Sequence, residues 1–104
     1  MSDLLILGAG GHAKVVAETA LASGAASRVA FLDDRALPPV LGWPVLGPLD
    51  QALEPLIHEQ FPAALVAIGH PATRLRWLVQ LQAAGYRLPL LIHPSAWISP
   101  SAEI

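Results

Sequence analysis

The chain has 104 residues, of which 54% are hydrophobic and 13% charged, and its formal net charge is −2. This length suffices for the core of one domain but not of two. The six Lys and Arg residues form no basic run, so nucleic acid is not a predicted partner. Long stretches without charge, such as residues 36–49 and 88–102, are broken by prolines. Both are shorter than the roughly 18–20 apolar residues of a spanning helix, so no membrane partner is predicted.

The chain contains no cysteine, which excludes disulfides, thiol catalysis and Cys-type zinc sites. Its N-terminus carries an acidic residue, Asp3, and no basic cluster, so no secretory signal is predicted. Together these features predict a cytoplasmic protein, and no metal site is predicted.

Short apolar runs predict the strands of the fold. Runs bounded by glycine or aspartate are typical of parallel strands that are buried on both faces. They cover residues 4–7, 29–32 and 64–68, and residues 88–92 are predicted as a last strand.

Helical patterns separate these runs. Helices are predicted over residues 12–23, over residues 48–59 with a kink or break at Pro55, and from Pro71 to a stop at Gly85. The apolar positions are Val16, Ala20 and Leu21 in the first helix, and Leu75, Leu78 and Val79 on one face of the last. Residues 35–48 form a connection rich in proline and glycine, with a short extended piece near Val45. This alternation predicts an α/β fold with a parallel sheet and flanking helices.

The last residues follow a different pattern. Isoleucine recurs every six residues at Ile92, Ile98 and Ile104, and Pro-Ser-Ala repeats at 94–96 and 100–102. A six-residue period with an aliphatic anchor is typical of a hexapeptide β-helix, which needs about three stacked coils or more. The sequence therefore predicts a domain over residues 1–92 and the first coil of a truncated β-helix over residues 93–104. His93 opens the repeat and is predicted to orient the tail.

The glycine-rich loop after the first strand is the strongest candidate for a binding site. Residues 8–13 fit the pattern G-x-G-x-x-A between a strand and a helix, as in phosphate-binding turns of the dinucleotide type. Gly8 permits the tight turn, Gly10 lets the backbone approach a phosphate, and Ala13 keeps the helix close to the sheet. The free N–H groups and positive dipole end of the helix predicted over residues 12–23 favour an anion. The alternative is a glycine-rich turn with no ligand.

Asp33, Asp34 and His12 are the next candidates. The two acids follow the second strand, where an acid in a dinucleotide fold bonds a ribose hydroxyl. They are also able to bind a base or sugar, or to form a solvated turn. His12 lies at the start of the first helix and is able to donate a hydrogen bond to phosphate or sugar, or to bond only to backbone.

A third loop, after the strand at 64–68, contains Gly69 and His70, and Arg74 follows one turn into the next helix. This loop is predicted at the same sheet edge, where Arg74 is able to bind a phosphate in bidentate fashion or to lie solvated. Lys14 is the only lysine of the chain and adjoins the glycine loop. His58 is predicted to be solvated. No constellation for covalent catalysis is present, so the chain is predicted to bind rather than to catalyse.

Four segments together resemble the N-terminal half of PglD/NeuD-type bacterial sugar acetyltransferases. They are GAGGHAKVV at 8–16, FLDD at 31–34, AIG at 67–69 with Arg74 following, and LIHPSAWISPSA at 91–102. The resemblance implies a Rossmann-like domain followed by a left-handed β-helix of hexapeptide repeats. It also implies acetyl transfer from acetyl-CoA to an amino or hydroxyl group of a sugar, often a UDP-linked 4-amino sugar or a sialic acid.

The resemblance also implies where ligands bind. It puts Gly8, Gly10, Gly11 and His12 at the phosphates of a UDP-sugar, and Asp33 and Asp34 near its uracil or ribose. The catalytic histidine, the acetyl-CoA site and the homotrimer contacts belong to the β-helix and have no counterpart in this chain. His70 departs from the asparagine or aspartate frequent at its position.

Two other functions remain open from the sequence. One is an NAD(P)-binding fragment of an oxidoreductase, which the glycine fingerprint allows. The other is a ligand-free docking or oligomerisation module for the β-helix.

Overall fold

The apolar runs form a parallel sheet. The computed structural model describes residues 3–89, and its strands are β1 (Asp3–Leu7), β2 (Arg28–Leu32), β3 (Val45–Gly47) and β4 (Ala63–Val66). Their order is β3-β2-β1-β4, and every pairing is parallel. The predicted parallel α/β fold is confirmed, and the extended piece predicted near Val45 is the edge strand β3.

The register brings the ends of three strands together. Leu7 pairs with Leu32 of β2 on one side and with Val66 of β4 on the other. Because parallel strands end at the same edge of a sheet, the loops after β1, β2 and β4 are neighbours. This edge carries the candidate site.

Helices cover both faces of the sheet. α1 (Gly11–Ala22) follows β1, whereas a 3₁₀ helix (Leu49–Leu53), α2 (Pro55–Gln60) and α3 (Pro71–Ala84) follow later. The helix predicted over residues 48–59 is split, as Pro55 suggested: Glu54 has extended backbone (φ −78°, ψ 129°), and Pro55 starts α2. Proline suits the first helical position because its missing N–H has no intrahelical acceptor there.

An alanine face sets α1 against the sheet. Ala13, Ala17 and Ala20 are fully buried and share a core cluster with Ile6 and Phe31. Small side chains allow the helix to approach closely, as predicted for Ala13, while Val16 and Leu21 pack at the margin of the cluster.

The core on the other sheet face is organised by Trp77 and Leu81 of α3, which pack with Leu5 and Leu7 of β1. Leu75 and Val79, grouped with Leu78 on one face from the sequence, are 63% and 58% exposed. The larger Trp77 and its i+4 neighbour Leu81 occupy the sheet-facing side instead.

The chain returns to the sheet after α3. Arg87 forms a parallel bridge with Ala63, and its carbonyl accepts a 2.9 Å hydrogen bond from the Ala64 N–H. The strand predicted over residues 88–92 extends past the described residues, and the hexapeptide repeat and the domain boundary at 92/93 lie outside them. Within residues 3–89, no helix is long and apolar enough to cross a membrane.

Candidate functional site

A cleft of about 430 Å³ lies at the carboxyl edge of the sheet. The loops after β1, β2 and β4 line it together with the start of α1. Seven of the predicted site residues meet there: Gly8, Gly10, Gly11, His12, Asp33, Asp34 and Gly69.

Gly8 makes the turn out of β1. Its φ is +106°, and a Cβ at this position would lie 2.6 Å from the carbonyl oxygen of Ala67 at the end of β4. The Gly8 N–H donates a 2.7 Å hydrogen bond to Leu32 O. Position 8 therefore needs glycine both for its backbone angle and for the close approach of two strand ends.

Gly10 differs from Gly8 because the fold would accommodate a Cβ at this position. Its φ of −87° is open to any residue, and its ideal Cβ meets only the Arg35 Nη2 atom, at an ordinary 3.6 Å. At Gly11 no described heavy atom lies within 4 Å of that position. Both glycines line the cleft.

The first turn of α1 faces this space without a side-chain cap. Gly10 is the N-cap residue, it offers no side-chain acceptor, and the first turn contains no acid. The first N–H groups of a helix have no intrahelical acceptor, so this end of α1 is able to bind an anion in the cleft. His12 lies in the same turn and is exposed.

Asp33 links the loops after β1 and β2. Its Oδ2 accepts a 3.0 Å hydrogen bond from the Ala9 N–H, and its two oxygens accept three from the backbone N–H, Nε and Nη2 of Arg35 at 2.9–3.0 Å. The hydrogen bond from the Arg35 side chain is the main cause that lowers the pKa of Asp33 from 3.8 to about 2, against the opposing effect of burial. Asp33 is ionised at neutral pH and organises the glycine loop.

Arg35 is the residue that the sequence analysis missed. It lines the cleft, its side chain is 66% exposed, and the nearby Asp33 carboxylate raises its pKa. The available signal was Asp33 just after a strand with Arg35 two residues on, since an Asp side chain often accepts a hydrogen bond from the backbone N–H two residues later, as it does here.

Asp34 makes a different contact. Its Oδ1 accepts a 2.9 Å hydrogen bond from the Leu49 N–H, at the start of the 3₁₀ helix. Asp34 is exposed and lies between the cleft and an adjoining depression of about 600 Å³, which also contains Asp33 and Arg35. The two acids therefore both hold backbone N–H groups, and both reach the cleft.

His70, Arg74 and Lys14 are not among the residues in the 3–89 range that line the cleft. His70 is the N-cap of α3, where its Nδ1 accepts a 3.3 Å hydrogen bond from the Thr73 N–H. Arg74 is half-buried one turn into α3. Lys14 lines a separate cavity of about 360 Å³ beside residues 37–41.

His58 is not solvated as predicted. It is half-buried, and its ring centroid lies 4.2 Å from that of Tyr86. Its Nδ1 is buried and has no hydrogen-bond partner among the described residues. The return of the chain after α3, which brings Tyr86 onto α2, accounts for the difference.

The fold and the cleft define an α/β domain of the doubly wound class, with a glycine-rich βα turn at the carboxyl edge of its sheet. The family model described as the PglD N-terminal domain matches residues 3–81. The chain belongs to this family, and the resemblance stated from the sequence is confirmed.

Solved structures of acetyltransferases match almost the whole chain. The acetyltransferase domain of PglB from Neisseria gonorrhoeae is 44% identical with a TM-score of 0.84, and the match covers 97% of this chain and 49% of that one. The same domain in complex with acetyl coenzyme A is 45% identical (TM-score 0.81; 96% and 48% covered). A mutant of perosamine N-acetyltransferase from Caulobacter crescentus, in complex with CoA and GDP-perosamine, is 36% identical (TM-score 0.81; 97% and 47% covered).

The chain spans about half the length of these acetyltransferases. A comparison with the sequences of curated proteins finds no significant match.

Proposed function

We propose that this chain is the nucleotide-sugar-binding domain of an acetyl-CoA-dependent sugar N- or O-acetyltransferase. The observation that carries the proposal is the uncapped start of α1, which faces the cleft at a point where a Cβ on Gly10 would meet only Arg35 Nη2, at 3.6 Å. A diphosphate fits this arrangement because backbone N–H groups bind anions at a helix start. The matched acetyltransferases support the class, and one of them is in complex with a nucleotide-linked sugar.

We propose a UDP-sugar as the ligand. In this assignment Gly10, Gly11 and His12 contact the diphosphate, whereas Gly8 shapes the turn. Asp34 and the adjoining depression lie on the side where the ribose and base would extend. Gly69 closes the opposite wall of the cleft. Lys14, His70 and Arg74 are assigned no contact with the diphosphate, because they do not line the cleft.

The proposed parent reaction moves an acetyl group from sulfur to nitrogen or oxygen. The amino or hydroxyl group of the sugar attacks the thioester carbonyl of acetyl-CoA, the C–S bond breaks, and CoA leaves as its thiol with the proton that the acceptor loses. We assign this chemistry, the acetyl-CoA site and the trimer contacts to the β-helical part of the parent protein, in the cytoplasm. The role of this domain is to hold the substrate.

Isothermal titration calorimetry of the chain tests the binding proposal. We expect UDP to bind and acetyl-CoA not to bind, and GDP serves as a second nucleotide because a matched structure contains GDP-perosamine. A folded sample with no heat of binding for UDP or GDP at millimolar concentration contradicts the proposal. Binding of NADH or NADPH in preference to UDP would favour the oxidoreductase alternative instead.

A further inference from the structure

The guanidinium of Arg35 lies directly over the glycine loop. Its Nη2 is 3.6 Å from the position that a Cβ on Gly10 would take, next to the first turn of α1. Among the described residues that line the cleft, Arg35 is the one Lys or Arg. Arg35 is therefore the candidate counter-charge for an anion at this helix start, whereas Lys14 and Arg74 do not line the cleft.

The pairing of Arg35 with Asp33 leaves donors available. A guanidinium has five N–H donors, and the contacts with Asp33 use its Nε and Nη2. The second hydrogen of Nη2 and both hydrogens of Nη1 are not needed for this pair. With the side chain 66% exposed, these donors are accessible to an anion, and a guanidinium fork matches phosphate oxygens.

Asp33 fixes the guanidinium relative to the loop. The same carboxylate holds the Ala9 N–H and two nitrogens of the Arg35 side chain, so the loop and the guanidinium share one anchor. A side chain already ordered before binding loses less conformational entropy when the ligand arrives.

We propose that Arg35 binds the diphosphate of the nucleotide substrate, and that Asp33 is the positioning residue that aims it. This inference rests on the proposed function and names the residue that gives the site its charge preference. Arg35 therefore strengthens the binding of UDP, which has the diphosphate, and not the binding of uridine, which lacks it.

The chain contains a matched control. Arg28 pairs with Asp3 through the same two nitrogens, Nε at 3.1 Å and Nη2 at 2.6 Å. Its side chain is 69% exposed, against 66% for Arg35. The Arg28 pair joins the first residues of β1 and β2, at the amino edge of the sheet, so its removal changes the same charge far from the cleft.

The experiment compares the affinities of the wild type, Arg35→Gln and Arg28→Gln for UDP and uridine by calorimetry. We expect Arg35→Gln to weaken UDP binding about tenfold to a hundredfold, the range for a hydrogen bond to a charged group. Uridine binding and the UDP affinity of Arg28→Gln stay within about twofold, inside the scatter of near-neutral surface changes. Circular dichroism verifies that each variant is folded.

The failures are distinguishable. If the wild type binds UDP and Arg35→Gln binds it equally well, the Arg35 assignment is overturned and the proposed function stands. If Arg28→Gln weakens binding as much as Arg35→Gln, the effect is not local and the assignment is also overturned. If the wild type binds no nucleotide, both proposals fall.

A double-mutant cycle tests the positioning role of Asp33. Removal of an acid beside a phosphate would strengthen UDP binding if charge alone mattered, whereas loss of positioning weakens it. We expect Asp33→Asn to weaken UDP binding, and Arg35→Gln to have a much smaller effect in the Asp33→Asn background than in the wild type. Additive effects of the two substitutions contradict the positioning role.

Discussion

Gly8 and Ala67 approach so closely that a Cβ on Gly8 would lie 2.6 Å from the Ala67 carbonyl oxygen. This contact joins the end of β1 to the end of β4, and the Ala67 N–H in turn donates to Leu7 O at 2.8 Å. The glycine loop therefore begins at a point where two strand ends leave no room for a side chain.

Gly8→Ala is expected to destabilise the domain by about 3 kcal/mol or more. The positive φ contributes about 1–2 kcal/mol, and overpacking against a backbone carbonyl adds about 1–3 kcal/mol. Gly24→Ala is the control, because Gly24 also has a positive φ of +77° but no described atom within 4 Å of its Cβ position. Urea unfolding of both variants separates the two contributions, and equal losses would contradict the contact with Ala67.

Gly10→Ala is expected to leave the fold intact while it weakens UDP binding. Its backbone angle suits any residue and its Cβ meets Arg35 only at 3.6 Å, so the change in stability stays within the roughly 1 kcal/mol of an N-cap substitution. The methyl group occupies the space assigned to the phosphate. Thermal unfolding and UDP titration measure the two effects, and an unchanged UDP affinity would contradict the placement of the phosphate beside Gly10.

The stability of the domain is expected to fall in acid as Asp33 is protonated. Its folded pKa is lowered from 3.8 to about 2, so its contribution is complete above about pH 4 and is lost as the pH falls toward about 2. In Arg35→Gln the main cause of the lowered pKa is gone, so the folded pKa lies closer to 3.8 and the stability lost in acid is smaller. Urea midpoints measured between pH 5 and 2 test the shift, and identical pH profiles for the two proteins would contradict it.

Ala17→Leu is expected to destabilise the domain by about 1–3 kcal/mol, because a larger side chain does not fit a packed interface. Ala17 is fully buried between α1 and the sheet, whereas Val15 on the same helix is 59% exposed. Val15→Leu is therefore the control, expected within about 0.5 kcal/mol of the wild type as a surface substitution. Chemical denaturation compares them, and similar values for both would show that the alanine face is not closely packed.

Tyr86→Phe is expected to lower stability by about 1–3 kcal/mol, the effect of a buried acceptor left without its donor. The Tyr86 hydroxyl donates a buried 2.6 Å hydrogen bond to Ala52 O in the 3₁₀ helix, and phenylalanine keeps the ring packing on His58. The free energy of unfolding in urea gives the value. A loss below about 0.5 kcal/mol, the level of a surface change, would mean that water replaces the hydroxyl.

The sequence was sufficient for the strands and for the turn after β1. Leu4, Ile6 and their neighbours are apolar on both sheet faces, so a continuous apolar run marks the strand without reference to anything distant. The glycine pattern likewise predicts the turn at Gly8 locally, although the contact of Gly8 with Ala67 is not visible in it. Where one short segment determines the outcome, prediction and structure agree.

The role of Arg35 and the packed face of α3 depend on contacts between segments. Asp33 was recognised as an acid at a strand end, but its hydrogen bond to the Ala9 N–H joins residues 24 apart. In α3 the periodicity allowed two faces, and the sheet residues that Trp77 and Leu81 meet decide between them. The role of Arg35 and the buried face of α3 are both determined by contacts with residues distant in sequence, and a local sequence pattern does not contain that information.

Gly8 and Gly10, two residues apart in one loop, are glycine for different reasons. The fold fixes position 8, because two strand ends meet there, whereas at position 10 a Cβ would meet only Arg35 Nη2, at 3.6 Å, so it is the proposed ligand that favours glycine there. Relatives that have drifted away from nucleotides should therefore retain glycine at the first position and lose it at the second. A relative with Gly8 retained and another residue at position 10 would be one that kept the fold of the domain but no longer binds a nucleotide.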